Sequence, residues 1–264
     1  MIALVTGASS GIGRATARRL AREPDAHLVL VARRRERLEA LAAELGGATV
    51  IAADLVDPGT PALVAGRVEA EHGRLDLLVN NAGIGGRGAF ADSGWAGMAH
   101  AMAVNFDAHV RLTEALLPLL RRSAPSAIIN VGSVAGRVSR PGAGAYSASK
   151  FALVGWTEAL HMEERPHGVH VGLVQPGFAV TEGFPQRQLV ARPLTRWMVS
   201  SDTKVAEAIV DAWKRRRAER YVPRPYALVP VARTLLPGLY RRVVGGGAFT
   251  PSVRPAGTGE EHRA

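Results

Sequence analysis

Ile2-Ala3-Leu4-Val5-Thr6-Gly7-Ala8-Ser9-Ser10-Gly11-Ile12-Gly13 opens with a short apolar run that turns directly into a glycine-rich loop. An apolar run bounded by turn residues reads as a buried strand, and residues 14–22 that follow have the composition of a helix. Strand, glycine loop and helix in that order build a phosphate site. Backbone N–H groups at the helix N-terminus face negative charge, and glycine lets the backbone approach closely. The spacing Gly-x-x-x-Gly-x-Gly departs from the common dinucleotide fingerprint, and glycine turns also join strands to helices that bind nothing. The stretch therefore sets the start of an α/β fold and marks a candidate nucleotide site.

The same alternation continues along the chain. Further strands are expected at 27–32, 49–53, 75–80, 127–131 and 169–174, with an edge strand near Tyr221-Val222. Helices are expected at 34–45, 59–72, about 93–122 and 146–164. Strands alternating with helices argue for a doubly wound parallel sheet in a three-layer α/β/α arrangement. A chain of 264 residues accommodates this as one domain. We expect residues 1–222 to form it, 223–244 to be a basic amphipathic extension and 245–264 a disordered tail.

Composition narrows the class. A hydrophobic fraction of 47% suits a chain with a substantial core. The absence of cysteine excludes disulfides, thiol catalysis and a cysteine-bound zinc, and no metal site is expected. No apolar run approaches the ~20 residues of a membrane span, and the opening run is too short for a signal-peptide core, so the expected location is cytoplasmic. The net charge is +10, but nine Lys/Arg against one acid (Glu219) fall between Lys214 and Arg242. The basicity belongs to the tail rather than the whole fold. Aromatics are only 5% and do not interleave with the basic run, which argues against nucleic acid as a partner.

The chemistry-bearing residues gather after the strands, where open α/β sheets bind ligands. Arg33 lies twenty residues beyond Gly13, where an acid would grip the ribose 2′-hydroxyl of NAD; an arginine there suits the 2′-phosphate of NADP. Arg34 and Arg35 read as the solvated face of the next helix. Asp54-Leu55, Asn80-Asn81-Ala82-Gly83, Gly132-Ser133 and Gln175-Pro176-Gly177 follow later strands. Asn105 stands between apolar Val104 and Phe106; buried, it must find partners, as a structural bridge or as part of a site. Tyr146 and Lys150 are four apart on a helix and share a face. A phenol titrates near ~10, and a neighbouring cation lowers that value. With Ser133 to hold a substrate oxygen, the three residues make a proton-transfer site for a carbonyl/alcohol pair, given a hydride from elsewhere. Alone, Tyr and Lys at this spacing also describe a solvated surface pair.

Taken together, residues 6–13, 80–83, Asn105, Ser133, 146–150 and Pro176-Gly177 stand in an order and spacing that resemble the short-chain dehydrogenase/reductase family, over about residues 1–222. The resemblance implies a single Rossmann-like domain and an NADP(H)-dependent oxidoreductase. Tyr146 would be the general acid/base. Lys150 would lower its pKa and bind the nicotinamide ribose, Ser133 would orient the substrate oxygen, and Asn105 would hold a relay water. Gly7, Ser9, Ser10, Gly11, Ile12 and Gly13 would line the pyrophosphate. Asp54 and Leu55 would meet the adenine, and Asn81, Ala82 and Gly83 would support sheet and cofactor. Pro176, Gly177 and Thr181 would flank the nicotinamide. Many NADP-using relatives carry a base immediately before the second glycine, where this chain has Ser10, so the NADP expectation rests on Arg33 and NAD(H) stays open. A homo-dimer or homo-tetramer is implied. A catalytically silent NADP-binding regulatory protein is the alternative function, and the complete Ser133, Tyr146, Lys150 and Asn105 set argues against it.

Specificity is expected after Gly177, where Phe178, Phe184, Trp197 and Met198 form either an apolar wall or plain core. In the tail, Leu228, Ala232, Leu235, Leu239 and Val243 recur at helical spacing, with Arg233, Arg241 and Arg242 outside that row and Pro230 and Pro237-Gly238 breaking it. Such a segment suits an anionic membrane surface. The plainer expectation is that the row packs on the domain or on a partner subunit.

Overall fold

The structure is a computed structural model that describes residues 1–85, 88–180 and 199–246. Strands β1 (Ile2–Thr6), β2 (His27–Ala32), β3 (Thr49–Ala52), β4 (Leu77–Asn80), β5 (Ser126–Val131), β6 (Val169–Pro176) and β9 (Glu219–Val222) form one seven-stranded sheet in the order 3-2-1-4-5-6-9. Every pairing in it is parallel. The chain steps from β1 outward to β3, then returns to place β4 on the other side of β1. That reversal opens a crevice at the carboxyl ends of β1 and β4, where such sheets bind ligands.

Helices cover both faces, and the strand period of two decides which side chain meets which layer. Ala3 and Val5 of β1, and Ala127, Ile129 and Val131 of β5, point into one core. That core is closed by α1 (Gly11–Leu20), α2 (Arg35–Glu44) and α7 (Asp202–Lys214) through Leu20, Leu38 and Ile209. Leu4 and Ile128 point the other way, toward α3 (Thr60–His72), α5 (Ala108–Arg122) and α6 (Gly144–Glu164). On α5, Leu112, Leu116 and Leu120 recur every four residues and are fully buried, each contributing roughly 1.5–3 kcal/mol of transfer free energy.

Three features differ from the sequence expectation. The single helix expected over 93–122 is α4 (Phe90–Met102), a π-helical turn (Ala103–Asp107) and then α5. The π turn inserts an extra residue per turn and rotates Asn105 into the interior, a device often found at functional sites. A two-stranded parallel ribbon joins β7 (Phe178–Val180) to β8 (Val199–Ser201). The tail forms α8 (Leu228–Leu235) and α9 (Pro237–Gly245), in which no residue is buried, so the apolar row does not pack on the domain. Thr181, Phe184, Trp197, Met198 and residues 247–264 lie outside the described residues. Among the described residues, no helix is long and apolar enough to cross a membrane.

Candidate active site

The glycine loop leaves β1 at Thr6, a buried hydroxyl that ties two loops together. Thr6 Oγ1 accepts from the N–H groups of Asn81 (2.9 Å) and Ala82 (3.0 Å), and Asn81 Nδ2 donates to the Thr6 carbonyl at 2.8 Å. This draws the loop against the turn after β4. A Cβ on Gly13 would stand 2.3 Å from the Gly7 carbonyl oxygen, and one on Gly7 would stand 2.9 Å from Asn81 Nδ2. Gly7 (φ +66°) and Gly11 (φ +51°) are also left-handed, a region costly for side-chain-bearing residues. Ser10 caps α1 without a side-chain hydrogen bond, and the first turn carries no acid. The N–H groups of that turn therefore face an anion without competition from a carboxylate.

A cation reaches this loop, and it is Arg34. Its Nη2 donates to Ser9 Oγ at 2.9 Å and Ser10 Oγ at 2.7 Å, and its Nε donates to Ser9 Oγ at 3.2 Å. Arg33, expected at the phosphate, lies 3.7 Å from Asp54 with both side chains exposed. Consecutive residues at a strand end point in different directions; Arg34 caps α2 in an extended conformation (φ −89°, ψ 92°) that turns its side chain back over the loop. Asp54 also accepts from Val56 N–H at 3.1 Å, while Leu55 is buried and Ile12 packs against the core.

On the other side of the crevice, α6 presents Tyr146 in its first turn and Lys150 one turn later. Ser133, at the end of β5, caps a short 3-10 turn (Val134–Gly136) and accepts from Ala135 N–H at 3.1 Å. That turn presses on α6: a Cβ on Gly136 would stand 2.6 Å from the Lys150 carbonyl oxygen. The packing sets Ser133 beside Tyr146, close enough for the serine hydroxyl to act on the phenol. Ser133 Oγ also donates to the Pro176 carbonyl at 3.4 Å. Gly177 lies flat under the buried ring of Tyr226, where a Cβ would stand 2.3 Å from a ring carbon. The structure thus brings Ser133, Tyr146, Lys150, Pro176 and Gly177 together from the end of β5, from α6 and from the end of β6.

Asn105 and Lys150 meet at the turn after β4. Asn105 Oδ1 would stand 3.1 Å, and Lys150 Nζ 3.8 Å, from a Cβ on Gly83. Asn105 bonds both backbone groups of Ile84 and donates to Ser149 Oγ at 3.0 Å. Lys150 Nζ donates to the Val131 carbonyl at 2.9 Å.

The electrostatics correct one expectation. Burial holds the Tyr146 phenol above its ordinary pKa, with the Ser133 hydrogen bond pulling the other way. Burial also brings the Lys150 ammonium down to about 8. Desolvation, which disfavours each charged form, outweighs the mutual stabilisation expected from their spacing. At neutral pH the phenol holds its proton and the lysine remains charged. His109, one turn beyond Asn105, had no sequence signal beyond its helical spacing. It is fully buried with its Nε2 2.7 Å from the Ala82 carbonyl. Burial first, then the Lys150 charge, bring it down to about 3, so it is neutral and Nε2–H is the donor.

Glycine cradle, anion-ready helix terminus and overlying guanidinium suit the phosphates of a dinucleotide. A family profile described as short chain dehydrogenase matches residues 1–189. Dehydrogenase/reductase SDR family member 7B of Bos taurus is 31% identical over 94% of this chain and 81% of its own length. Among solved structures, a short-chain dehydrogenase from Sphingobium yanoikuyae in complex with NADPH superposes with a TM-score of 0.75 at 32% identity, covering 97% of this chain and 98% of its own. The 3-ketoacyl-(acyl-carrier-protein) reductase from Brucella melitensis, complexed with NADH, gives 0.76 at 26% identity, covering 84% and 96%.

Proposed function

The chain belongs to the short-chain dehydrogenase family and is an NAD(P)-dependent oxidoreductase acting on carbonyl and alcohol groups; within that family we propose that it uses NADP(H) and that Tyr146 is its proton donor to a substrate carbonyl. The observation that carries this reading is Ser133 set beside Tyr146, a phenol that burial keeps protonated. Ser133 positions the substrate oxygen, and Tyr146 gives it a proton in reduction or takes one in oxidation. A phenol that holds its proton at neutral pH is in the form needed to act as the acid in reduction. The cofactor, when bound, supplies the hydride.

The remaining residues bind and orient. Gly7, Ser9, Ser10, Gly11, Ile12 and Gly13 form the pyrophosphate cradle, Asp54 and Leu55 border the adenine, and Asn81, Ala82 and Gly83 hold the loop in place. Lys150 presents its ammonium to the nicotinamide ribose. Asn105 holds Ile84 and would hold a relay water, and Pro176 and Gly177 would border the nicotinamide. The preference for NADP(H) is supported by Arg34 over Ser9 and Ser10, with Arg33 at the outer edge. These four side chains offer a charged and hydroxyl-lined seat where the family's usual base before the second glycine is missing. The solved relatives carry NADPH in one case and NADH in another, so the cofactor preference rests on this chain's own residues. Residues 1–222 form the catalytic domain in this reading, working as a homo-dimer or homo-tetramer. A silent cofactor sensor would have no use for a serine hydroxyl set beside a tyrosine phenol.

The test is oxidation of NADPH and NADH by the purified full-length chain against a panel of ketones, aldehydes and quinones, with alcohols run in reverse. Faster turnover with NADPH is the expected result. Tight NADPH binding with no turnover across the panel would establish the sensor instead.

A further inference from the structure

Helices α8 and α9 expose the side chains that a helix in a globular protein ordinarily buries. Leu228 is 69% exposed, Leu235 71% and Leu239 55%, and Val231, Leu236 and Val243 are exposed with them. A single exposed leucine is ordinary, but a contiguous row marks an interaction surface. Residues 220–246 also contain five arginines and no Asp or Glu, and Arg224, Arg241 and Arg242 are exposed.

The row is held at the rim of the active site. Arg233 Nη1 donates to the Arg137 carbonyl at 3.0 Å, and its guanidinium lies 5.3 Å from the Phe151 ring centre. Tyr240 Oη donates to the Ser139 carbonyl at 2.6 Å. Both acceptors belong to the loop that runs from Ser133 to Tyr146. The same loop takes Gly88 N–H on its Gly142 carbonyl at 3.1 Å, which brings up the start of α4 with its exposed Phe90 and Trp95. Leucines, aromatics and arginines thus border one loop, the loop that separates the two hydroxyls of the site.

We propose that α8 and α9 lie on the surface of an anionic bilayer, leucines in the acyl boundary and Arg224, Arg241 and Arg242 among the headgroup phosphates, so that the substrate is a lipid-dissolved carbonyl or alcohol entering from the membrane. An amphipathic segment with low acidity and a basic flank binds membranes by buried apolar area together with attraction to anionic lipid. The charges favour a bilayer over a second copy of this chain. An isologous contact between the α8–α9 segments of two copies would join two surfaces of like charge, with no acid in residues 220–246 to pair their arginines. The substrate class rests on the reading under Proposed function; the docking surface does not.

Flotation of the full-length chain with phosphatidylcholine vesicles, and with phosphatidylcholine vesicles containing phosphatidylglycerol, tests the surface. The chain is expected to float with the mixed vesicles and to be released by salt. The double variant Leu235→Asp/Leu239→Asp is expected to bind them about tenfold less, and Arg241→Gln/Arg242→Gln several-fold less on the anionic vesicles only. All these side chains are exposed, so both variants should keep NADPH binding and the turnover of a water-soluble ketone, while losing turnover of a ketone dissolved in the vesicles. Three results would each overturn the proposal: wild-type protein that floats with neither vesicle, leucine variants that float like wild type, or leucine variants whose only change is conversion of a dimer to a monomer. Turnover of the water-soluble ketone by wild-type protein reports separately on the enzymatic reading, so the two failures are told apart.

Discussion

Asn105 clasps the backbone of Ile84 from both sides: its Oδ1 accepts the Ile84 N–H at 2.8 Å, and its Nδ2 donates to the Ile84 carbonyl at 3.0 Å. One buried amide thereby stands in for a missing strand partner and fixes the segment that leaves the turn after β4. Asn105 reaches this position from within the π turn, where it is the buried residue. Replacing Asn105 with alanine leaves both Ile84 backbone groups without their side-chain partner and removes one of the two hydrogen bonds of the Ser149 hydroxyl. A loss of about 1–3 kcal/mol in denaturant unfolding is expected, with a fall in kcat that a purely structural role elsewhere would not produce.

Tyr146→Phe removes one hydroxyl and little volume. Turnover should fall by about 10²–10⁴-fold, the range of a positioned acid, while NADPH affinity, measured by fluorescence titration, stays close to wild type. Loss of cofactor binding together with turnover would count against Tyr146 as the proton donor.

Arg34→Gln should weaken NADPH binding by about tenfold, the value of one lost charge-assisted contact, and leave NADH binding nearly unchanged. Arg33→Gln, at a side chain set against Asp54, should have the smaller effect. The reverse ranking in matched titrations would return the phosphate to Arg33.

Lys150 links stability to pH. Its folded value of about 8 lies below its ordinary 10.5, so between those values the unfolded chain holds more protons at this site than the folded one. The stability contributed by residue 150 therefore rises with pH across that window, by about 3 kcal/mol in all. In Lys150→Met that rise is absent. The difference in Tm between variant and wild type should shift in favour of wild type from pH 8 to 10, and stay flat below about pH 7.

Gly13→Ala places a methyl group 2.3 Å from the Gly7 carbonyl oxygen, an atom that cannot rotate aside. Cofactor binding should be lost, and the glycine loop should show earlier proteolysis than the rest of the fold.

The strands and the order of the layers were legible because burial writes itself into local pattern. β2 was read residue for residue, and β1, β3, β5 and α3 to within one residue, since apolar runs and turn residues report the local environment of each segment. Departures appear where partners far apart in sequence decide the outcome. The break in the helix at Ala103–Asp107 depends on Asn105 reaching Ile84, twenty-one residues upstream. Thr6 and His109 gave no sign of their roles, because each serves the turn at Asn81-Ala82, which no periodicity connects to them.

By itself the sequence determined the α/β order and marked the glycine loop and the serine, tyrosine and lysine of the candidate site, because strand–helix alternation and helical spacing are properties of neighbours along the chain. Only the tertiary structure decided which arginine covers the loop, how burial sets the two pKa values, and that the tail's leucines face outward beside the Ser133–Tyr146 loop. Direction, desolvation and exposure depend on what other segments bring alongside, and a linear pattern does not contain those neighbours.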